Sequence, residues 1–495
     1  MIFYKRRAGV LMHISSIPSR YVVGDMGPEA FRFLDFLSDS GIRIWQVLPL
    51  GPTSLEFANS PYHPLSSFAG NYIFISPEKL YESGLINKDD LEHSYEFSSK
   101  SNKTDYITAY RFKKDILKRA WENFRSNKNT VDFELFCYNN GWWLEDYALF
   151  NSLRDKSKKQ WHQWEEEIKH RRELESLKKV LKEEIEFSKF EQFVFFSQWN
   201  ELKRYANSKG ILIMGDTPIY PSYDSCDVWC NTRIFKLDQN LVPKVVGGVP
   251  PDFFSQTGQL WGNPVYDWDE LEREKFDFWM KKLTFLFSIY DLVRLDHFRG
   301  FVAYWEVPYG EETAVNGRWV KAPSEKFFSK VVEYFDRERI IVEDLGFITD
   351  DVRYTRDKFG FAGMKVLEFA FYEKNSEYLP HNYTQNSVCY IGTHDNPPAK
   401  LWFKQIDEHT TRNLFSYIGR NIPEDEINWE LVRLAFSSVS KYAIVQMQDF
   451  IGSEDRMNTP STTEGNWLWK IPHGFEYREL DERIRNLCEI YGRVD

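Results

Sequence analysis

The chain has 495 residues, 42% of them hydrophobic, which allows two or three ordinary domains or one large barrel with insertions. A net charge of −11 and a pI near 5.6 exclude the clustered Lys and Arg that grip nucleic acid. No run of the ~18 apolar residues needed for a membrane span is present.

The N-terminal MIFYKRRAGVLMHISSI has a faint signal-peptide outline. His13 and two serines interrupt its apolar part and no small-residue cleavage site follows, so it reads as a first core strand after a basic lead. Short apolar runs ending in a polar residue or turn recur at 9–15, 42–50, 211–216, 292–296, 340–344, 364–371, 388–395 and 443–449. Helical patterns separate most of them. PEAFRFLDFLSDSG starts with Pro28 and stops with Gly41. SEKFFSKVVEYFDRER precedes the fifth run and PEDEINWELVRLAFSSVSKY the eighth, while the connection before the seventh has the weakest helical pattern. Eight buried strands alternating with helices predict an α/β fold, a (β/α)8 TIM barrel with inserted subdomains, residues 1–495 forming a single catalytic barrel.

Two connections are too long for plain crossovers. Residues 51–190, between the second and third strands, predict a mostly helical insertion, whose Lys/Glu-rich stretch WEEEIKHRRELESLKKVLKEEIEF reads as a solvated helix face. Residues 217–275, between the third and fourth strands, are rich in Gly, Pro, Asp and aromatics and predict a loop-rich insertion carrying an active-site lid. Within it, Gly247 and Gly248 are expected to supply unusual backbone angles, and Phe254 and Trp261 to cover the site.

The five cysteines, Cys137, Cys226, Cys230, Cys389 and Cys488, form an odd set without repeating spacing, the pattern of reduced thiols in a cytoplasmic protein. Cys226 and Cys230 are spaced C-x3-C but lack the partner motif of a zinc site. Aromatic residues in SPYHP, DVWCN, GQLWGNP and GNWLW sit beside turn-forming residues. Flat rings on loops suit sugars and some peptides, although a well-packed core also uses aromatics.

Active sites of such barrels lie at the C-terminal strand ends. Asp216, Asp296, Glu343 and Asp395 fall there, with His297 and His394 alongside. Taken singly, an Asp after a strand is often a helix cap; four together indicate a site. In DLVRLDHFRG, period-two alternation puts Arg294 and Asp296 on one face, opposite Leu295. A metal could gather the carboxylates, but Arg294 and Arg299 would compete with a cation. Retaining glycoside chemistry is the other use: one carboxylate attacks the sugar while one carboxylic acid protonates the leaving oxygen. Arg294 favours an ionised Asp296, or forms a plain salt bridge. Glu343, after the apolar IIV, suits the acid, then base, role.

At this point the chain resembles the 4-α-glucanotransferases of the amylomaltase (disproportionating enzyme) type, in the α-amylase superfamily. The resemblance is nearly end to end and rests on WQVLPLGPT, SPYHPLSSFAGN, WLEDYALF, MGDTPIY, GGVPPDFFSQTGQLWGNP, LVRLDHFRG, VEDLG, GMKVLEFAF, GTHDN and RMNTP followed by GNW. It implies that Asp296 is the nucleophile, Glu343 the general acid/base, and Asp395 the residue gripping hydroxyls of the transferred glucose. Asp216, Arg294 and His394 match family positions around that sugar, with His297 beside them. Tyr62 would line the donor side, and Trp261 with the GGVPPDFFS stretch would form a lid. The implied partners are α-1,4-glucans and maltooligosaccharides, with no nucleic acid, membrane, metal or cofactor, and a monomer or weak homodimer is expected. Departures occur at Asn396-Pro397-Pro398 after THD, at SLEFAN after GPT, and at Pro221; acceptor preference is where they should show. The same trio could serve an α-glucan hydrolase, and an inherited barrel could merely bind glucan, although a binding module needs neither nucleophile nor acid.

Overall fold

The structure, a computed structural model, describes residues 5–126, 130–251 and 255–494. Among these residues twelve strands occur: β1 (Arg7–Leu11), β2 (Ile44–Gln46), β3 (Leu212–Thr217), β4 (Val245–Val249), β5 (Gln259–Pro264), β6 (Leu292–Leu295), β7 (Ala303–Pro308), β8 (Arg318–Lys321), β9 (Ile340–Val342), β10 (Ala362–Val366), β11 (Ser387–Tyr390) and β12 (Tyr442–Gln446). Eight of them close a parallel barrel in the order β1-β12-β11-β10-β9-β6-β3-β2, and each coincides with one of the eight apolar runs. Strands such as RAGVL and YAIVQ are buried along their whole length, as parallel strands covered on both faces must be.

Helices Pro28–Asp39, Lys182–Ser208, Asp277–Ile289, Ser324–Tyr334, Asp350–Phe359 and Ile427–Ser437 run between successive barrel strands. The β10–β11 connection differs. Among the described residues it carries two 3-10 turns, Leu367–Phe369 and Pro380–Asn382, and no α-helix, where the sequence showed the weakest helical pattern. Between β2 and β3 lie helices including Pro77–Glu82, Tyr106–Ser126 and Val131–Ser157. No helix is long and apolar enough to cross a membrane among the described residues.

The described residues of 217–275 hold strands that a loop-rich reading does not foresee. They hold β4 and β5, which join β7 and β8 in a four-stranded antiparallel sheet ordered β5-β4-β7-β8. Their Gly and Pro content masks strand propensity, and the pairing to β7 spans a long stretch of sequence, so periodicity alone does not reveal it. Gly247 and Gly248 do not take left-handed angles. Close approach requires them: a Cβ on Gly248 would stand 2.4 Å from the Gln259 carbonyl oxygen, and one on Gly247 3.0 Å from the Tyr220 ring.

Candidate active site

Register builds the centre of the site. Pairing of β3 with β6 sets Asp216 opposite Arg294. Arg294 is 4% exposed, and its Nη1 donates to both Asp216 oxygens at 2.9 and 2.7 Å. The same nitrogen lies 2.9 Å from Asp296 Oδ1, so Arg294 and Asp296 share the face that alternation assigns them. A buried guanidinium must be paired to be tolerated, and two carboxylates pair this one. Arg294 thus already supplies positive charge between them. Tyr62 donates its hydroxyl to Asp216 Oδ2 at 2.8 Å, and its ring stacks on His394 with centroids 5.0 Å apart. Asp216 and Arg294 therefore hold Tyr62 and Asp296 in place from beneath.

The backbone turns sharply after Asp296. His297 takes φ 50° and ψ 54°, a left-handed conformation that costs a non-glycine residue about 1–2 kcal/mol. This aims its backbone N–H at Glu343 Oε2, 2.8 Å away. Leu345 N–H donates to Glu343 Oε1 at 2.9 Å. Burial, and then the nearby charge of Asp296, push the Glu343 carboxyl up to about 8, with Arg294 and the Leu345 N–H opposing. The imidazole of His297 is pushed down to about 4 by burial, so it is neutral.

Asp395 follows β11 at the mouth, with its side chain 44% exposed. Asn458 Nδ2 donates to its Oδ1 at 2.6 Å, Arg456 Nη2 donates to its backbone carbonyl at 2.6 Å, and His394 Nε2 lies 3.3 Å from its Oδ2. Two carboxyls thus stand in contrasting settings, Asp296 ion-paired with arginine and Glu343 accepting two backbone N–H groups.

A sequence profile described as 4-alpha-glucanotransferase matches residues 12–475. The chain belongs to the 4-alpha-glucanotransferase family. It is 52% identical to the 4-alpha-glucanotransferase of Aquifex aeolicus over 493 residues, 99% of each chain, and 43% identical to that of Clostridium butyricum, covering 98% of this chain and 100% of the relative. Its fold matches an amylomaltase from Streptococcus agalactiae, solved in complex with acarbose, with TM-score 0.95 at 37% identity, covering 99% of this chain and 100% of that one.

In this 4-alpha-glucanotransferase scaffold, nine of the ten residues singled out from sequence can be located. Asp216, Arg294, Asp296, Glu343, Tyr62, His297, His394 and Asp395 make one connected group through the contacts above. Trp261, in β5, joins them by its edge-to-face contact with His297, centroids 4.8 Å apart. Phe254 lies outside the described residues. Sequence reasoning assigned no role to Asn458, Arg456 or Trp467, whose ring lies 5.9 Å from that of His394. The signal was present as the RMNTP and GNW motifs, but nothing in them says which strand end they reach.

Proposed function

We propose that this member of the 4-alpha-glucanotransferase family moves segments of 1,4-α-glucan by retaining double displacement at the group around Asp296. Membership of the family carries the activity; the residue roles are our assignment. Asp296 attacks the anomeric carbon of the donor glucose. The glycosidic bond to the leaving glucan breaks, and Glu343 gives its proton to the departing 4-oxygen. The acceptor's 4-hydroxyl then attacks the same carbon, returns its proton to Glu343 and displaces Asp296, which restores the α linkage. The observation that supports this most directly is the contrast between the two carboxyls. Asp296 lies 2.9 Å from the Arg294 guanidinium, whereas Glu343 is pushed up to about 8 and holds a proton to donate.

Asp395, with Asn458 and His394 on its oxygens, would hold hydroxyls of the transferred glucose, and Tyr62 would line its donor side. Trp261, against His297, would cover the covalent intermediate and exclude water. A cytoplasmic setting fits the five free cysteines. Incubation with maltotriose tests the reading. A ladder of longer and shorter glucans supports transfer, collapse to glucose and maltose indicates a hydrolase, and unchanged substrate indicates a binding protein.

A further inference from the structure

The short helix Cys226–Cys230 takes no part in this chemistry, yet it brings two thiols together. Cys226 Sγ and Cys230 Sγ lie 3.6 Å apart, one helical turn apart in sequence. Arg171 Nη1 donates to Cys230 Sγ at 2.8 Å. The same guanidinium pairs with Asp146 at 2.5 Å and lies 4.3 Å over the Trp229 ring. Cys226 is 6% exposed, whereas Cys230 is partly exposed.

We propose that Cys226 and Cys230 form an oxidisable dithiol site which exchanges with small-molecule disulfides, and whose closure slackens the loop carrying Tyr62. The Arg171 guanidinium contacts the Cys230 sulfur, and Cys230 is the more accessible of the two. Cys230 gives its proton to solvent and its sulfur attacks one sulfur of the incoming disulfide, forming a mixed disulfide and releasing one thiolate. Cys226 then gives its proton to solvent and attacks Cys230 Sγ, releasing the second thiolate. The protein loses two hydrogens, and the small disulfide is reduced to two thiols.

Closure strains the helix. Side chains four apart on a helix have Cβ atoms about 5–6 Å apart, while a disulfide needs about 3.8 Å, so the last turn must unwind. That turn anchors the loop after Tyr62: Cys226 N–H donates to the Leu65 carbonyl at 2.8 Å, and Ser67 N–H donates to Asp227 Oδ2 at 2.7 Å. Tyr62, three residues before Leu65, in turn holds Asp216. The loss of activity rests on the placing of Tyr62 at the site; the disulfide itself does not.

The test treats the intact protein with oxidised glutathione. The expected product is two hydrogens lighter, with a peptide map joining Cys226 to Cys230, and activity on maltotriose falls several-fold and returns with dithiothreitol. Cys230→Ser should keep its basal activity and resist inactivation, and Cys226→Ser should retain one glutathione on Cys230. Absence of the 226–230 bond, equal inactivation of Cys230→Ser, or bond formation with unchanged activity each overturns the proposal.

Discussion

Replacing Glu343 with Gln should make the protein more resistant to neutral and alkaline pH while removing most of its activity. The folded carboxyl is pushed from 4.5 to about 8, so the folded state holds this proton more tightly than the unfolded chain does. Stability from this group is therefore fully present below about 4.5 and is lost as pH rises through about 8. At about 1.4 kcal/mol per pH unit the ionised group costs the fold up to about 5 kcal/mol, and its partial exposure at the mouth brings that to about 3 kcal/mol. Gln has no proton to lose. It also offers an NH2 to one of the two backbone N–H groups that the carboxyl accepts from, which costs about 1–3 kcal/mol at every pH. The diagnostic quantity is the slope, since a chain of this size melts with an entropy of about 1 kcal/mol/K, and about 3 kcal/mol is about 3 °C. Melting both proteins from pH 4.5 to 9 should show the Tm of Glu343→Gln gaining about 3 °C on the wild type across the range. A Tm difference that stays flat refutes the raised proton affinity and, with it, the acid role.

Asp296→Asn should keep the fold, judged by circular dichroism, and lose transfer by about 10^3-fold or more, because an amide does not form the covalent intermediate; retention of a tenth of the wild-type rate would reassign the nucleophile. Asn458→Ala removes the 2.6 Å bond to Asp395, and at about 1.5–3 kcal/mol for a bond to a charged group kcat/KM on maltotriose should fall by about 10–100-fold. A change within twofold would detach Asn458 from the site. Trp261→Ala should raise the ratio of glucose release to ladder formation, because water gains access to the intermediate; if both rates fall in proportion, the ring supports binding in general and does not exclude water.

The barrel was legible because its strands are buried on both faces. LVRL, IIV and YAIVQ are dense apolar runs that need no partner to be recognised, and a carboxylate at the end of such a run already marks the mouth. The pairing of Arg294 with Asp296 followed from alternation alone. Its stronger partner, Asp216, depends on the β3–β6 register, which no local pattern encodes. The antiparallel sheet stayed hidden for a related reason: VVGGV reads as a turn until Gly248 is seen to admit the Gln259 carbonyl. Asn458 lies 63 residues from Asp395 in sequence, so only the closed fold shows that the two touch.

The charge of Asp296 is one of the forces raising Glu343, and in the proposed double displacement that charge has a lifetime within each catalytic cycle. It is present when donor glucan binds, and Glu343 is then a reservoir holding a proton near neutral pH. Once Asp296 is esterified to the sugar, its charge is gone and the Arg294 guanidinium faces Glu343 with one less anion between them. The affinity of Glu343 for a proton drops at the moment its proton has been spent. The same side chain then waits as a base for the acceptor hydroxyl, and release of Asp296 as a carboxylate returns it to its starting state. The left-handed turn at His297 would tie the two timings together, since the residue that follows the proposed nucleophile is the one whose N–H is fixed on the proposed acid.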